Sequence, residues 1–549
     1  MSHGRNSNEP HAPRRRCARA LAGFAALAML LASVAPEAHA AKAKKGEPAQ
    51  KSARAPKAKP GVPKHTGLET LEKSVKSFAL ANGIQFILVE RHDAPVFSFA
   101  TVVNAGAAND QIGTTGIAHM MEHMAFKGTE IVGTKDYAGE APLLAEEEKG
   151  WEALLAERRK GAKADSVRLA SLDASFKQDQ EKAREKVVSN GFTTLIEQNG
   201  GRGVNAFTSN DVTAYFYSLP SNRLELWALM EGGRLAHPVF REFYKERDVV
   251  YEERRLRYES SPTGRLFLEF VTAAFQAHPY GFGGIGFPSD LKTFSRTEGE
   301  EFYRRNYVAK NMCVALVGDV KEEEAKADAE RYWSDLSDAP APPPIDTVEP
   351  EQKAERRVIL EDPAQPFIFI GWHCPAVTDP TYPAYQALGS LLGGGDFARL
   401  NKRLVKEKKI AVEIEATPGF PGQKYPNLFI LVIVPAAGQD PLAVEQEAYK
   451  ALDEVKASGF TEEELEGYKV RTRASKIGTA ESNSRLALEL AQAQEMQGDW
   501  REWFRDIERV QALKVEDLKG AMEKTLVKSN RTVGMIVHAT SETPAGGGR

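Results

Sequence analysis

A short apolar stretch, residues 116–126, constrains this chain more than any other feature, because it contains two histidines and a glutamate. Its residues favour a helix, on which His119, Glu122 and His123 lie at i, i+3 and i+4 and project from one face. The other side chains are mostly apolar, so the helix is expected to be buried. Burying three such polar groups without a partner is costly. The pattern predicts a metal ion held by His119 and His123, with Glu122 beside it.

A charged helix predicted over residues 242–259 offers a third ligand. Glu246 and Glu253 are seven residues apart, two helical turns, so they share one face. Taken alone, they are expected to be solvated surface charges. Beside a two-histidine site, Glu253 becomes a candidate ligand. The alternative interpretation of the first motif is a histidine pair satisfied by hydrogen bonds in a core.

The charge of the chain is unevenly distributed. Residues 1–65 contain 13 Lys and Arg and 3 Asp and Glu, a net charge of +10, whereas the whole chain has a net charge of −4. The remaining residues therefore carry −14. An acidic body makes nucleic acid an unsuitable partner and basic peptides suitable ones.

The N-terminus has the pattern of an export signal. Arginines between Arg14 and Arg19 precede an apolar stretch from Ala20 to Val34, and Ala38-His39-Ala40 has the small-x-small form of a cleavage site. An uncleaved membrane anchor is the competing interpretation, but the apolar run is short for a span. We expect cleavage after Ala40, a periplasmic or secreted protein, and no membrane span in the mature chain.

Beyond the signal, the sequence predicts two domains, because 549 residues exceed one ordinary core. A charged stretch at 144–188 interrupts the first domain and is expected to form an inserted hairpin of two helices. Runs of strands, long helices and a closing strand occur in both domains, which suggests duplication. The predicted ranges are 1–40 for the signal, 41–66 for a disordered basic linker, 67–336 for the first domain, 337–354 for a Pro-rich linker and 355–541 for the second domain.

Residues 203–217 fit two strands that turn at Ser209-Asn210-Asp211. An ordinary hairpin is the simpler interpretation. The functional one is an edge strand that offers its backbone to an extended peptide. Cys313 and Cys374 are the two cysteines beyond the signal, and we expect them to be inert core thiols.

These motifs together resemble the pitrilysin-type metallopeptidases, the group that includes insulin-degrading enzymes and mitochondrial processing peptidase. His119-Met120-Met121-Glu122-His123 matches the metal motif of that family, the inverted form of the zincin helix. Residues 246–253 match the helix with the third ligand, and residues 205–208 match the substrate-binding edge strand. The similarity extends over roughly residues 75–540, with three motifs in the right order.

The resemblance implies an α+β fold of two homologous α/β-roll halves, each an antiparallel sheet packed with helices, around a chamber. It also implies one zinc ion per chain, held by His119, His123 and Glu253, with a fourth position open to water. Glu122 would then act as general base. Glu246 would orient a ligand, and the backbone at Asn205 and Ala206 would bind the peptide.

The second half departs from the family pattern. Single-chain members carry an Arg and a Tyr there, seven residues apart, that reach the substrate. The matching positions here are Val405 and Val412, with Arg403 and Lys406 close by but out of register.

The sequence therefore predicts an exported zinc endopeptidase that needs a homologous subunit with the Arg and Tyr. In the alternatives, Arg403 or Lys406 reaches the site, or the chain is a non-catalytic peptide-binding or scaffold subunit.

Overall fold

The computed structural model describes residues 66–538, which form a mixed α/β structure with two sheets. The first sheet contains β1 (Lys76–Ala79), β2 (Gln85–Glu90), β3 (Val96–Val103), β4 (Arg202–Thr208), β5 (Thr213–Pro220) and β6 (Met312–Gly318). The second contains β7 (Arg356–Glu361), β8 (Phe367–Cys374), β9 (Ala411–Phe420), β10 (Asn427–Pro435) and β11 (Arg531–Val537).

The two sheets share one strand order, which confirms the predicted duplication. The order is β1-β2-β6-β3-β5-β4 in the first sheet and β7-β11-β8-β10-β9 in the second. Without β1, both sheets place their strands in the order first, fifth, second, fourth, third. In each, the first and fifth strands pair in parallel and the other neighbours pair antiparallel. The edge strand β4 of the first sheet therefore corresponds to β9 of the second.

Helices fill the connections between the strands. In the first half they are α1 (Thr66–Ser74), α2 (Ile117–Met124), α3 (Tyr137–Arg158), α4 (Ser166–Arg184), α5 (Gly191–Gln198), α6 (Leu224–Ala236), α7 (Phe243–Arg254), α8 (Pro262–Ala274), α9 (Pro288–Leu291), α10 (Arg296–Asn306) and α11 (Glu322–Tyr332). In the second they are α12 (Tyr382–Leu392), α13 (Pro441–Ser458), α14 (Glu462–Glu481), α15 (Asn483–Gln497), α16 (Glu502–Ala512) and α17 (Val515–Thr525). Short π-helical segments occur at Arg255–Glu259 and Asn401–Glu407.

In each half, one helix packs against the sheet of the other half. Helix α15 lies between β10 and β11 of the second sheet in sequence, yet its Leu486 and Leu490 are fully buried in a core with Ala100 of the first sheet. Helix α8 packs against β11 and β8, where the Phe270 ring lies so close to Gly371 that a Cβ there would be 2.8 Å from it. Burying one such leucine contributes about 1.5–3 kcal/mol. The two sheets therefore depend on each other for their cores.

The hairpin turns of the two halves also meet. Asn210, in the turn between β4 and β5, donates from Nδ2 to the carbonyl of Pro421 at 2.9 Å. Neighbouring Asp211 accepts hydrogen bonds from the backbone N–H groups of Gln423 at 2.7 Å and Lys424 at 3.2 Å. The turn predicted at Ser209–Asp211 is present, and it is fixed by the hairpin between β9 and β10.

The predicted inserted hairpin is confirmed as two packed helices, α3 and α4, separated by a short 3-10 turn at Gly161–Lys163. Helix α3 begins at Tyr137, seven residues before the predicted start at 144, and it contains Pro142 within its first turns. A proline this far into a helix removes one intrahelical hydrogen bond, so a helix is not expected to run through it. The sequence pattern therefore placed the start too late.

The predicted signal at 1–40 lies outside the described residues, as does the basic linker except for its last residue, Thr66. The described residues of the Pro-rich segment 337–354 contain neither helix nor strand. Cys313 and Cys374 are free and buried. Within residues 66–538, no helix combines the length and apolar character that crossing a bilayer requires. The residue ranges of the two domains remain a proposal.

Candidate metal centre

The helix with the His-x-x-Glu-His motif, α2, begins at a glycine that no other residue could replace easily. Gly116 has a φ of 92°, and a Cβ at this position would lie 2.3 Å from the carbonyl oxygen of Ile285. Residues with a side chain rarely adopt this backbone conformation. The carbonyl of Ile285 also occupies the space that a Cβ would need. The start of α2 is thus fixed by tertiary packing against the loop before α9.

Two buried aspartates hold the N-terminal end of α2. The carboxylate of Asp110 accepts hydrogen bonds from the N–H groups of Gly116 at 2.6 Å and Ala118 at 3.0 Å. Asp290 accepts from the N–H and hydroxyl of Thr115, at 3.1 and 2.7 Å. Carboxylates satisfy the free N–H groups at a helix start. Burial raises the pKa of Asp110 to about 7, although the two N–H groups lower it.

The structure brings together the three residues predicted as metal ligands. His119 and His123 lie on successive turns of α2, with ring centroids 4.9 Å apart, and Glu253 approaches from α7. Oε2 of Glu253 is 3.8 Å from Nε2 of His119 and 3.5 Å from Nε2 of His123. One ligand atom from each residue falls within 4.8 Å of the others. This group could hold a metal ion.

Burial and mutual contacts shift the pKa values of the three residues. Burial lowers the pKa of His123, but hydrogen bonds to Glu246 and Glu253 outweigh burial and raise it to about 9. Burial raises the pKa of Glu253, but hydrogen bonding with His123 and the charge of His119 lower it to about 2. For His119, burial dominates and lowers the pKa to about 4. The low pKa of Glu253 favours the ionised carboxylate, the form that binds a metal ion.

Glu246, predicted to support the ligands, lies behind His123. Its Oε2 is 3.5 Å from Nδ1 of His123, the ring nitrogen opposite the one that faces Glu253. Its other oxygen contacts Nζ of Lys127, which also lies 3.3 Å from Glu242. Burial raises the pKa of Glu246, but these hydrogen bonds from His123 and Lys127 lower it to about 2. The low pKa keeps this carboxylate ionised beside the His123 ring.

Glu122 lies between the cluster and the edge strand. Its Oε2 is 4.0 Å from Nε2 of His119 and accepts a hydrogen bond of 2.7 Å from the hydroxyl of Thr208 on β4. Burial raises the pKa of Glu122, although the Thr208 hydroxyl and the charge of His123 lower it. A carboxylate with a raised pKa beside a metal cluster suits proton transfer.

The predicted peptide-binding residues, Asn205 and Ala206, lie on β4, whose outer edge has no strand partner among the described residues. Both line a cavity of about 350 Å³ next to the candidate metal centre. The other lining residues all belong to the first half: Glu122, His123, Phe126, Lys127, Val187, Val188, Asn190, Gly191, Thr193, Val204, Arg241, Glu242 and Glu246. The cavity thus joins the candidate metal centre to the free edge of β4.

Sequence reasoning missed three residues that shape this centre. Arg257 donates to Oε1 of Glu253 at 2.6 Å, which leaves Oε2 for the histidines. Its position four residues after Glu253 is a recognisable helical spacing. Thr208 lies in the stretch predicted as an edge strand, but the sequence pattern does not indicate a role for its side chain. Nothing in the sequence pointed to Lys127.

Comparison with known proteins agrees with this architecture. The insulinase (peptidase family M16) model matches residues 85–142, which include the His-x-x-Glu-His helix, and the model of the peptidase M16 inactive domain matches residues 293–471. The zinc protease PqqE of Helicobacter pylori is 27% identical over 425 residues, which cover 75% of this chain and 81% of that protein.

Two crystal structures show the same fold. A protease from Helicobacter pylori covers 84% of this chain and 99% of its own, with a TM-score of 0.70 and 24% identity. The periplasmic protease PqqL from Escherichia coli has a TM-score of 0.62 and 18% identity, and the match covers 85% of this chain but 48% of PqqL. The fold and the two family matches together identify a two-half peptidase architecture. Models of peptidase family M16 thus match parts of both halves of the chain, in agreement with the resemblance in its motifs.

Proposed function

We propose that this protein is an exported zinc-dependent endopeptidase that hydrolyses peptides or unfolded polypeptides. The observation that carries the proposal is the convergence of His119, His123 and Glu253 in a chain whose relatives are named zinc proteases. A degenerate, non-catalytic relative has no need to keep these three residues and Glu122 together.

The donor set fits a catalytic zinc ion. Two atoms that are both about 2.1 Å from an ion, at a tetrahedral angle, lie about 3.4 Å apart. The separations of 3.5 and 3.8 Å between Glu253 and the two histidines are close to this value. Two imidazoles and one carboxylate leave a fourth position open, as in catalytic rather than structural sites. When bound, zinc would supply a water of lowered pKa and polarise the scissile carbonyl.

Glu122 is the proposed general base. In this role its carboxylate accepts a proton from the attacking water and later gives it to the leaving amine. Its position 4.0 Å from His119 and its raised pKa support this role. Glu246 is proposed to hold His123 in place through Nδ1, with Lys127 neutralising part of its charge.

The substrate is proposed to bind as an extended strand along β4. The free edge of β4 offers backbone hydrogen bonds that do not depend on side-chain identity, which suits varied peptides. Asn205 and Ala206 lie where this edge meets the cavity beside the metal cluster. A peptide on this edge passes close to Glu122.

The chain is proposed to act with a homologous subunit that supplies an Arg and a Tyr. Val405 packs against the core of the second half and Val412 is exposed, and neither can donate a hydrogen bond from its side chain. Arg403 is engaged with Glu454 at 2.9 Å and Glu407 at 3.3 Å. Lys406 lies 3.8 Å from Asp396. These contacts within the second half support the need for a partner rather than the use of Arg403 or Lys406.

The length of PqqL also supports a paired assembly, since this chain matches about half of that protein. Loss of transition-state donors typically costs about 3–4 kcal/mol, enough to leave an isolated chain nearly inactive. The proposed location is the periplasm or the exterior. The signal-like pattern of the N-terminal residues and the likeness to PqqL, a periplasmic protease, support it.

A non-catalytic peptide-binding or scaffold subunit is the second candidate function. It is favoured by the match of residues 293–471 to a domain described as inactive. All three candidate ligands and Glu122 lie outside that matched range. The second half can therefore be inactive while the first half carries out the chemistry.

The deciding experiment is metal analysis and peptide hydrolysis on the purified mature protein, alone and with a co-purifying homologue. We expect about one zinc ion per chain and turnover that rises strongly when the homologue is added. A pure monomer or homodimer with full turnover would refute the need for a partner. A zinc-free protein that binds peptides without cleaving them would favour the scaffold.

A further inference from the structure

A half-buried hydroxyl group on the edge strand β4 contacts the Glu122 carboxylate. It belongs to Thr208, whose Oγ1 is 2.7 Å from Oε2 of Glu122. Because an ionised carboxylate can only accept, the threonine must donate its single hydroxyl proton to Glu122. No other hydrogen bond reaches the Glu122 carboxylate from the residues between 66 and 538.

A second threonine lies behind Thr208. Thr213 is directly opposite it on β5, with the two Oγ1 atoms 3.3 Å apart. The Thr213 hydroxyl donates its own proton to the carbonyl oxygen of Ala105 at 2.9 Å.

The Thr208 hydroxyl has two polar neighbours but only one proton. The Glu122 carboxylate is the closer one, at 2.7 Å against 3.3 Å for the Thr213 hydroxyl. A hydrogen bond to a charged acceptor is also shorter and stronger than one between neutral groups. The proton of Thr208 therefore points to Glu122.

We propose that Thr208 is a positioning residue, which holds the Glu122 carboxylate in one orientation toward the candidate metal centre. This inference rests on the proposed peptidase function. Without the Thr208 hydroxyl, the Glu122 carboxylate keeps no hydrogen bond to the described protein and turns to find another donor. A displacement of about 1 Å in a reacting group can cost about a hundredfold in rate.

The position of Thr208 also links the general base to the substrate. Thr208 is on the same edge strand as Ala206, two residues away, so both side chains project from one face of β4. A peptide that pairs with the edge of β4 therefore rests on the strand that orients the base. The register of the substrate and the direction of the carboxylate are set by one element.

The test compares Thr208→Val, which keeps the shape but removes the hydroxyl, with Thr208→Ser, which keeps the hydroxyl. The matched control is Thr101→Val. Thr101 lies on β3 of the same sheet, where it is fully buried, and its hydroxyl has no hydrogen-bond partner among the described residues. We expect kcat to fall about 10- to 100-fold in Thr208→Val, with KM and zinc content unchanged. Thr208→Ser and Thr101→Val should stay within about twofold of wild type.

Crystal structures of the wild type and of Thr208→Val test the inference independently of activity. The Glu122 carboxylate should accept from Thr208 in the wild type and should turn or become disordered in the variant. An unmoved Glu122 in Thr208→Val would overturn the inference, as would a Thr208→Val enzyme with wild-type kcat. If the wild type hydrolyses no peptide, the proposed function fails, and the crystal structures still decide whether Thr208 positions Glu122.

Discussion

Helices α2 and α12 occupy the same place in the two halves, each following the second strand of its five-strand motif, but they differ in what they bury. Helix α2 buries His119 and presents Glu122 and His123 to a cluster of carboxylates. Helix α12 buries an apolar and aromatic set that includes Tyr385, Leu388 and Leu392 in the core of the second half. The strand order therefore does not require the polar residues of α2. They are tolerated there because partners on α7 and β4 satisfy most of them.

The starts of these two helices differ in the same way. Helix α2 is held by the buried carboxylate of Asp110, which accepts from Gly116 and Ala118. The segment before α12 is held by Asp379, which is only partly buried and accepts from the N–H and hydroxyl of the exposed Thr381 at 2.8 and 2.6 Å. A buried charged hydrogen bond fixes geometry more tightly than an exposed one. The first half holds its helix rigidly where chemistry is proposed, and the second half does not.

The largest expected effect is the loss of the metal in Glu253→Gln. A neutral amide is a much poorer ligand than a carboxylate, so zinc should fall from about one per chain to near zero, and turnover should go with it. Metal analysis after dialysis measures this. Glu252→Gln is the matched control, because Glu252 is on the same helix but exposed and paired with Arg255 at 3.2 Å. Full zinc occupancy in Glu253→Gln would remove Glu253 from the ligand set.

Next in size is Glu122→Gln, which should keep zinc but reduce kcat about a hundredfold or more, because the ligands remain while the base is lost. Steady-state hydrolysis of a peptide, with zinc measured on the same sample, checks both parts. Gln386→Ala on α12 is a control in the second half and should leave kcat unchanged. Wild-type turnover in Glu122→Gln would show that the difference between α2 and α12 is not catalytic.

Glu246→Gln should have a smaller effect, a loss of about 10- to 100-fold in zinc affinity, since it acts on His123 from behind. Competition with a chelator of known affinity gives the value. The result expected is a variant that still binds zinc at saturating concentration and is then active. An affinity equal to that of the wild type would mean that Lys127 and Glu242 hold the site without it.

The smallest expected effect concerns the helix starts. Asp110→Ala leaves two N–H groups of α2 without their acceptor and should destabilise the fold by about 1–3 kcal/mol. Asp379→Ala, at the more exposed counterpart, should cost at most about 0.5 kcal/mol. Thermal unfolding of the metal-free proteins compares them directly. Equal shifts in melting temperature would mean that the two helix starts are held equally strongly.

Much of the fold was predictable because it depends on local patterns. The two strands that turn at Ser209–Asp211 were predicted from residues 203–217, and the two-helix insertion was recognised from its charged stretch. The duplication was suggested by recurring strands and long helices. The exchange of α8 and α15 between the sheets was not foreseen. An apolar helix face predicts that the helix will be buried on that side. It does not predict which of the two sheets the face will pack against.

The sequence by itself determined which residues of the candidate site could act together on one element. Helical spacing put His119, Glu122 and His123 on one face, and it placed Glu246 and Glu253 on another helix. The contact between α7 and α2 was predicted from the family resemblance alone. Helical spacing relates only residues on one helix, so it could not predict this contact.

Only the tertiary structure decided what surrounds those residues. Thr208, Lys127 and Asp110 reach the site from elements or positions whose local patterns signal nothing about it. Their roles arise from distances across the fold, between a sheet edge, a loop and two helices. A sequence sets the chemistry that each side chain offers, whereas packing sets which of these groups come within hydrogen-bonding reach of one another.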